Sequence, residues 1–192
     1  MKETTQLKIL LIFNFSYILL FTIISLSADN YEFLYYTGLM SFLIILTAIY
    51  YKKLNLTKPI LLGLTALGFI HVLAGNLYLG ETRLYDLYLI DNILKFDNVV
   101  HMLGGFMIAM VLNKILRPYT ITKEHKPLYF LIILVLLTLG VGAAYEIIEL
   151  LAVLFLNAAT QVGDYLNNAF DIVFNAIGAI IACTALHKKH KK

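Results

Sequence analysis

Six runs of about 20 predominantly apolar residues dominate the chain, at 7–26, 31–51, 59–80, 98–116, 128–156 and 168–186, each bounded by charged or turn residues. A helix that crosses a roughly 30 Å hydrocarbon core needs about 20 such residues, because without water every backbone N–H and C=O must be satisfied inside the segment. The runs predict an all-α integral membrane bundle of six transmembrane helices, organised as a single transmembrane domain over 1–192. Composition agrees: 60% of the residues are hydrophobic and 14% charged, where soluble domains average about 45–50% and about 25%. These proportions exclude a disordered chain and a disulfide scaffold, and the formal net charge of +3 adds no case for a soluble nucleic-acid binder. The first run is expected to be a retained helix, since it outlasts the ~7–15 residues of a signal-peptide core and lacks a clean small-x-small site.

Orientation follows from the basic residues, because Lys and Arg in short loops stay on the cytoplasmic side. Lys2, Lys8, Lys52, Lys53, Lys58, Lys114, Arg117, Lys123, Lys126, Lys188, Lys189, Lys191 and Lys192 fall on one side of an alternating six-span topology, and only Arg83 and Lys95 on the other. Both termini are therefore expected in the cytoplasm, and the chain in the cytoplasmic (inner) membrane of a prokaryote. The acids are skewed the opposite way: only Glu3 and Glu124 are cytoplasmic in this topology, which points to function on the outer side.

Lesser features fit the same frame. Tyr35, Tyr36, Tyr50, Tyr51, Tyr78 and Tyr129 lie near span ends, as in an aromatic belt at the headgroup layer. Cys183, the only cysteine, has no partner for an intramolecular disulfide. In the outer segment 81–96, Leu87, Ile90 and Leu94 recur at helical spacing opposite Asp86, Asp91 and Lys95, so an outer interfacial helix is expected there. The terminal HKKHKK reads as a topology anchor that also contacts anionic lipid.

Ionisable groups inside a span cost several kcal/mol unless paired, metal-bound or hydrated, which makes each a functional candidate. Asp97 and His101 are spaced i, i+4; Glu146 and Glu149 are i, i+3; Asp171 and Asn175 are i, i+4, with Gly178 nearly a turn beyond. Each pair shares one helix face. At 1.5 Å per residue from the cytoplasmic end of its span, His71 lies about 18 Å deep, His101 and Asp171 about 24 Å, and Glu146 about 27 Å. One shared cavity opening outward is expected. Gly104, Gly105, Gly140, Gly142, Ala143 and Ala144 are small enough to let helices approach closely around it. The fifth run would make a helix of about 43 Å, so it either tilts steeply or bends back after Glu149.

An imidazole with several carboxylates is a ligand set for Zn, Mn or Fe, and without metal it can relay protons or act as general acid and base. The catalytic candidates are Glu146, Glu149, His101 and Asp171, which are also the candidate metal ligands; two neighbouring carboxylates repel unless a cation or proton is shared. His71, Asp97, Asp164 and Asn175 are candidate substrate-binding residues. No HExxH, nucleophile elbow or phosphate-cradling glycine loop occurs.

The order FDNVVHMLGG (96–105), AAYEIIELLA (143–152) and GDYLNNAFDIVFNAIGAIIA (163–182) resembles the YjdF-like family of predicted inner-membrane proteins and, more distantly, the VanZ-like family. The resemblance covers roughly 70–182. It implies a polytopic membrane protein with an Asp-x-x-x-His element, a glutamate-bearing helix and a final Gly-Asp to Asp helix, carried here by Asp97, His101, Glu146, Glu149, Gly163, Asp164 and Asp171; His71 also resembles the upstream histidine of the YjdF-like pattern. Asn98 and Glu149 stand where the VanZ-like pattern has Lys and Gln, and Asn167 and Asn168 where the YjdF-like pattern is more acidic.

Three functions compete on this reading. The first is an outward-facing, metal-dependent enzyme or binding protein acting on membrane lipid or a lipid-linked envelope substrate. The second is a structural or assembly protein whose polar stripes are interhelical hydrogen bonds. The third is a small proton-coupled transporter.

Overall fold

The structure, a computed structural model, describes residues 3–120, 127–156 and 165–190. Its helices are α1 (Glu3–Ser27), α2 (Tyr31–Tyr50), α3 (Lys58–Asn76), α4 (Phe96–Thr120), α5 (Pro127–Leu156) and α6 (Tyr165–His190), each matching one of the apolar runs. All six are long and apolar enough to cross a membrane, and the chain is a polytopic, all-α membrane protein. Local chemistry sets the ends. Before α2, Asp29 takes the left-handed conformation (φ 52°) and the Asn30 side chain accepts a hydrogen bond from the Phe33 N–H at 3.2 Å, capping the helix. Pro59 occupies the first turn of α3, where its missing N–H costs nothing.

The segment after α3 is not the expected interfacial helix. Residues 77–95 form two short antiparallel ribbons, β1 (Tyr78–Leu79) with β2 (Thr82–Arg83), and β3 (Tyr88–Ile90) with β4 (Leu94–Lys95), joined by a 3-10 turn over Leu84–Asp86. Two residues break the helical pattern: Gly80 at φ 67° opens the two-residue loop between β1 and β2, and Asn92 at φ 57° lies in the loop between β3 and β4. The Leu87, Ile90, Leu94 spacing mimics a helical stripe only because the loop falls between the last two. For the same reason α3 stops at Asn76, short of the expected 80.

The chain divides into two compact units, one of Met1–Lys53 and Thr57–Phe96, the other of Leu54–Leu56 and Asp97–Lys192. In the first, α1, α2 and α3 pack on one another around Tyr17, Phe21 and Val72, with Phe69 edge-on to Tyr17 at 5.6 Å between centroids. In the second, α5 lies along α6 over Phe130, Leu134, Cys183 and Leu186, and Ala109, Ala179 and Ala182 form an adjoining core. Within each unit many apolar side chains are exposed, such as Ile12, Leu19 and Ile49 in the first and Leu136 and Phe155 in the second, and such faces suit lipid. α5 runs unbroken through Leu156, so Glu146 and Glu149 sit within a continuous helix and not at a bend.

Candidate functional site

In the second unit, three helices converge on His101. Asp97 sits in the first turn of α4, where the helix dipole favours a carboxylate, and His101 follows one turn later. The His101 Nε2 lies 3.4 Å from Asp97 Oδ1 and 3.8 Å from Asp171 Oδ1 on α6, while Nδ1 lies 3.9 Å from Glu146 Oε1 on α5. Asp97, His101 and Asp171 are all buried, Asp171 completely, and each offers a ligand atom within 4.8 Å of the others. Glu149 is buried one turn beyond Glu146.

Carboxamides orient the acids. Asn98 Nδ2 donates to Asp171 Oδ1 at 3.0 Å, and Asn167 Nδ2 donates to Asp171 Oδ2 at 2.9 Å and to Asp97 Oδ2 at 3.3 Å. Asn175 Nδ2 lies 3.3 Å from His101 Nδ1. Both oxygens of Asp171 are thus held, while the two buried oxygens of Glu146 accept no hydrogen bond from the described residues. An excess of carboxylates over imidazole in a buried space repels itself unless a cation or proton intervenes.

Glycines make the geometry possible. A Cβ at Gly178 would strike the Met102 carbonyl oxygen, and one at Gly105 the Asn175 carbonyl oxygen, so α4 and α6 touch backbone to backbone at this crossing. A Cβ at Gly142 would come 2.8 Å from Asn175 Nδ2, so α5 leaves that amide its slot. Gly140 departs from the expected close approach: among the described residues, a Cβ there would meet nothing within 4 Å beyond its own stretch of helix.

His71 belongs to the first unit, where its Nδ1 is 3.0 Å from Tyr85 Oη and its ring packs edge-on against Tyr36 and Tyr85. Tyr36 is buried there, unlike the exposed Tyr50, Tyr78 and Tyr129, and so lies outside the expected belt. Gly163 and Asp164 lie outside the described residues.

Two sets of residues have no functional role in the sequence reading. One is Asn98 and Asn167, although Asn167 stands one helical turn before Asp171, a spacing that offers the signal. The other is an ion network in the first unit: buried Arg83 donates from Nη1 to Glu32 Oε2 at 2.9 Å and from Nε to Asp86 Oδ2 at 2.7 Å, with its guanidinium 5.3 Å from the Phe33 ring centroid. Burial acts to lower the Arg83 pKa, but the Asp86 hydrogen bond and the charges of Glu32 and Asp86 outweigh it, and the net direction is upward. Glu32 and Arg83 are 51 residues apart, so no periodicity links them.

Residues 7–192 match the family described as Predicted membrane protein (DUF2238). Neither the curated proteins nor the solved structures contain a match to this chain.

Proposed function

This chain belongs to the DUF2238 family of predicted membrane proteins, and we propose that it is a metal-dependent enzyme or binding protein that acts from the outer side of a prokaryotic inner membrane on a lipid or lipid-linked envelope substrate. The observation that carries the reading is the buried meeting of Asp97, His101 and Asp171, whose nitrogen and oxygen donors suit Zn, Mn or Fe. Glu146 and Glu149 stand beside them as general base or further ligands. The skew of basic residues supports cytoplasmic termini and an outward-facing site. In this reading residues 1–192 act as one transmembrane domain, Asp164 and Asn175 border the site, and His71 contributes to substrate binding. The YjdF-like resemblance, and the more distant VanZ-like one, belong to the same reading.

Elemental analysis of the detergent-purified protein tests it. About one equivalent of transition metal is expected in the wild type and less than about a fifth of that in a folded Asp97→Asn, Asp171→Asn variant, since a lost ligand typically costs far more than the tenfold of an outer-shell change. A metal-free wild type would overturn the metal reading.

A structural role is the second reading, favoured by the interhelical bonds from Asn98 to Asp171 and between Asn175 and His101. It predicts a lower melting temperature for Asn98→Ala with no change in metal content. Access decides the orientation: in a Cys183→Ala background, a single cysteine at the exposed Glu81, between α3 and α4, should react with an impermeant maleimide added outside intact cells, and labelling from the cytoplasm alone would refute the outward orientation.

A further inference from the structure

We propose that Glu146 is the positioning residue of this centre: by accepting a hydrogen bond from the His101 Nδ1–H it presents Nε2 as ligand to a divalent first-row metal held with Asp97 and Asp171. The inference rests on the metal reading above and assigns a role within it.

The two edges of the His101 ring face different chemistry. Nε2 points to the acids, with Asp97 Oδ1 at 3.4 Å and Asp171 Oδ1 at 3.8 Å, so a cation shared with them must take the Nε2 lone pair. A neutral imidazole that ligates through Nε2 carries its proton on Nδ1, and such an N–H almost always donates to a carboxylate, a carbonyl or water. Around Nδ1 stand the Asn175 amide nitrogen at 3.3 Å and Glu146 Oε1 at 3.9 Å. An amide nitrogen is a donor only and cannot receive that proton's hydrogen bond. Glu146 can, and both of its buried oxygens lack a hydrogen-bond donor among the described residues.

A shift of about 1 Å closes 3.9 Å to the length of a charge-assisted hydrogen bond. Torsion about the glutamate side chain supplies it. Asn175 has less freedom, since its amide is wedged against Gly142 and its own backbone against Gly105. If the Asn175 amide nitrogen, 3.3 Å away, donates to Nδ1, the single ring proton of a neutral His101 is on Nε2, between the two aspartates. A metal held at Nε2 would require that proton to move to Nδ1, where Glu146 would replace Asn175 as its partner. Glu146 therefore acts through His101 and does not itself touch the metal.

The test uses the full chain in detergent with Zn(II) or Co(II) alone as probe, read by calorimetry and, for the tautomer, by 15N-histidine NMR. The wild type should bind one equivalent with Nδ1 protonated. Glu146→Leu should weaken binding by about 10–100-fold and lose the Nδ1–H signature, the range seen when outer-shell partners of ligating histidines are removed. Glu146→Gln keeps an accepting oxygen of the same reach and should recover most of the affinity. Unchanged affinity in Glu146→Leu would overturn the inference and hand the role to a rotated Asn175 amide. Glu146→Gln as weak as Glu146→Leu would overturn it too, making Glu146 a direct ligand. A wild type that binds neither metal would sink the underlying reading, a result distinct from either.

Discussion

Arg83→Met should be among the most destabilising single changes in the first unit, lowering stability by about 3–5 kcal/mol, the usual cost of removing one partner from a buried ion pair. Arg83 and Glu32 side chains are only 6% and 8% exposed, so the carboxylate left behind has little water to turn to. Asp86, at 44% exposed, can rehydrate and adds little to the loss. The double variant Glu32→Gln, Arg83→Met removes both charges and should recover more than half of the loss, because the penalty lies in the uncompensated charge more than in the missing attraction. Chemical unfolding in detergent measures both, and hydrogen exchange over 77–87 should rise in the single variant, where the 3-10 turn is tied down through Arg83 to α2. Equal stabilities for the single variant and the wild type would show that the pair contributes nothing.

Gly178→Ala and Gly105→Ala form the second large effect. Overpacking a filled interior costs about 1–3 kcal/mol, and both should reach the upper end because the obstructing atoms are backbone carbonyls, which cannot rotate away as a side chain would. Gly140→Ala is the internal control: its surroundings are open, and replacing a mid-helix glycine should gain up to about 1 kcal/mol. Displacing α6 from α4 also draws Asp171 and Asn175 away from His101, so under the metal reading proposed above the two alanine variants should hold less metal as well as lose stability. Thermal unfolding paired with elemental analysis reads both, and Gly178→Ala melting with or above Gly140→Ala would refute the close crossing.

The helices were legible because hydrophobic length is a one-dimensional signal, and each of the six runs has its helix. So was the meeting of Asp97, His101, Glu146 and Asp171, since the cost of burying charge marks the residues and i, i+4 spacing assigns the face. The ribbon was not: one stripe of Leu87, Ile90 and Leu94 suits a helix as well as an extended segment with a loop, and only the backbone at Gly80 and Asn92 separates them. Arg83 was read as an exception to a charge rule, when its meaning lay in Glu32, 51 residues away. Asn98 and Asn167 stood out only as departures from the two family patterns, because carboxamides carry no charge and show a role only once the acids they hold are in place. His71 has a calculated depth of about 18 Å, shallower than the roughly 24–27 Å of the cluster, and in the first unit its Nδ1 is 3.0 Å from Tyr85 Oη.

The unequal lengths of the spans bear on where such a protein can reside. At 20 residues α2 covers about 30 Å and matches a typical bilayer upright, while the 30 residues of α5 cover about 45 Å. No single bilayer thickness suits both without tilt or deformation of the surrounding lipid, each costing fractions of a kcal/mol per Å. A thicker bilayer would leave α5 more upright and a thinner one more tilted, and α5 is the helix that carries Glu146 and Glu149.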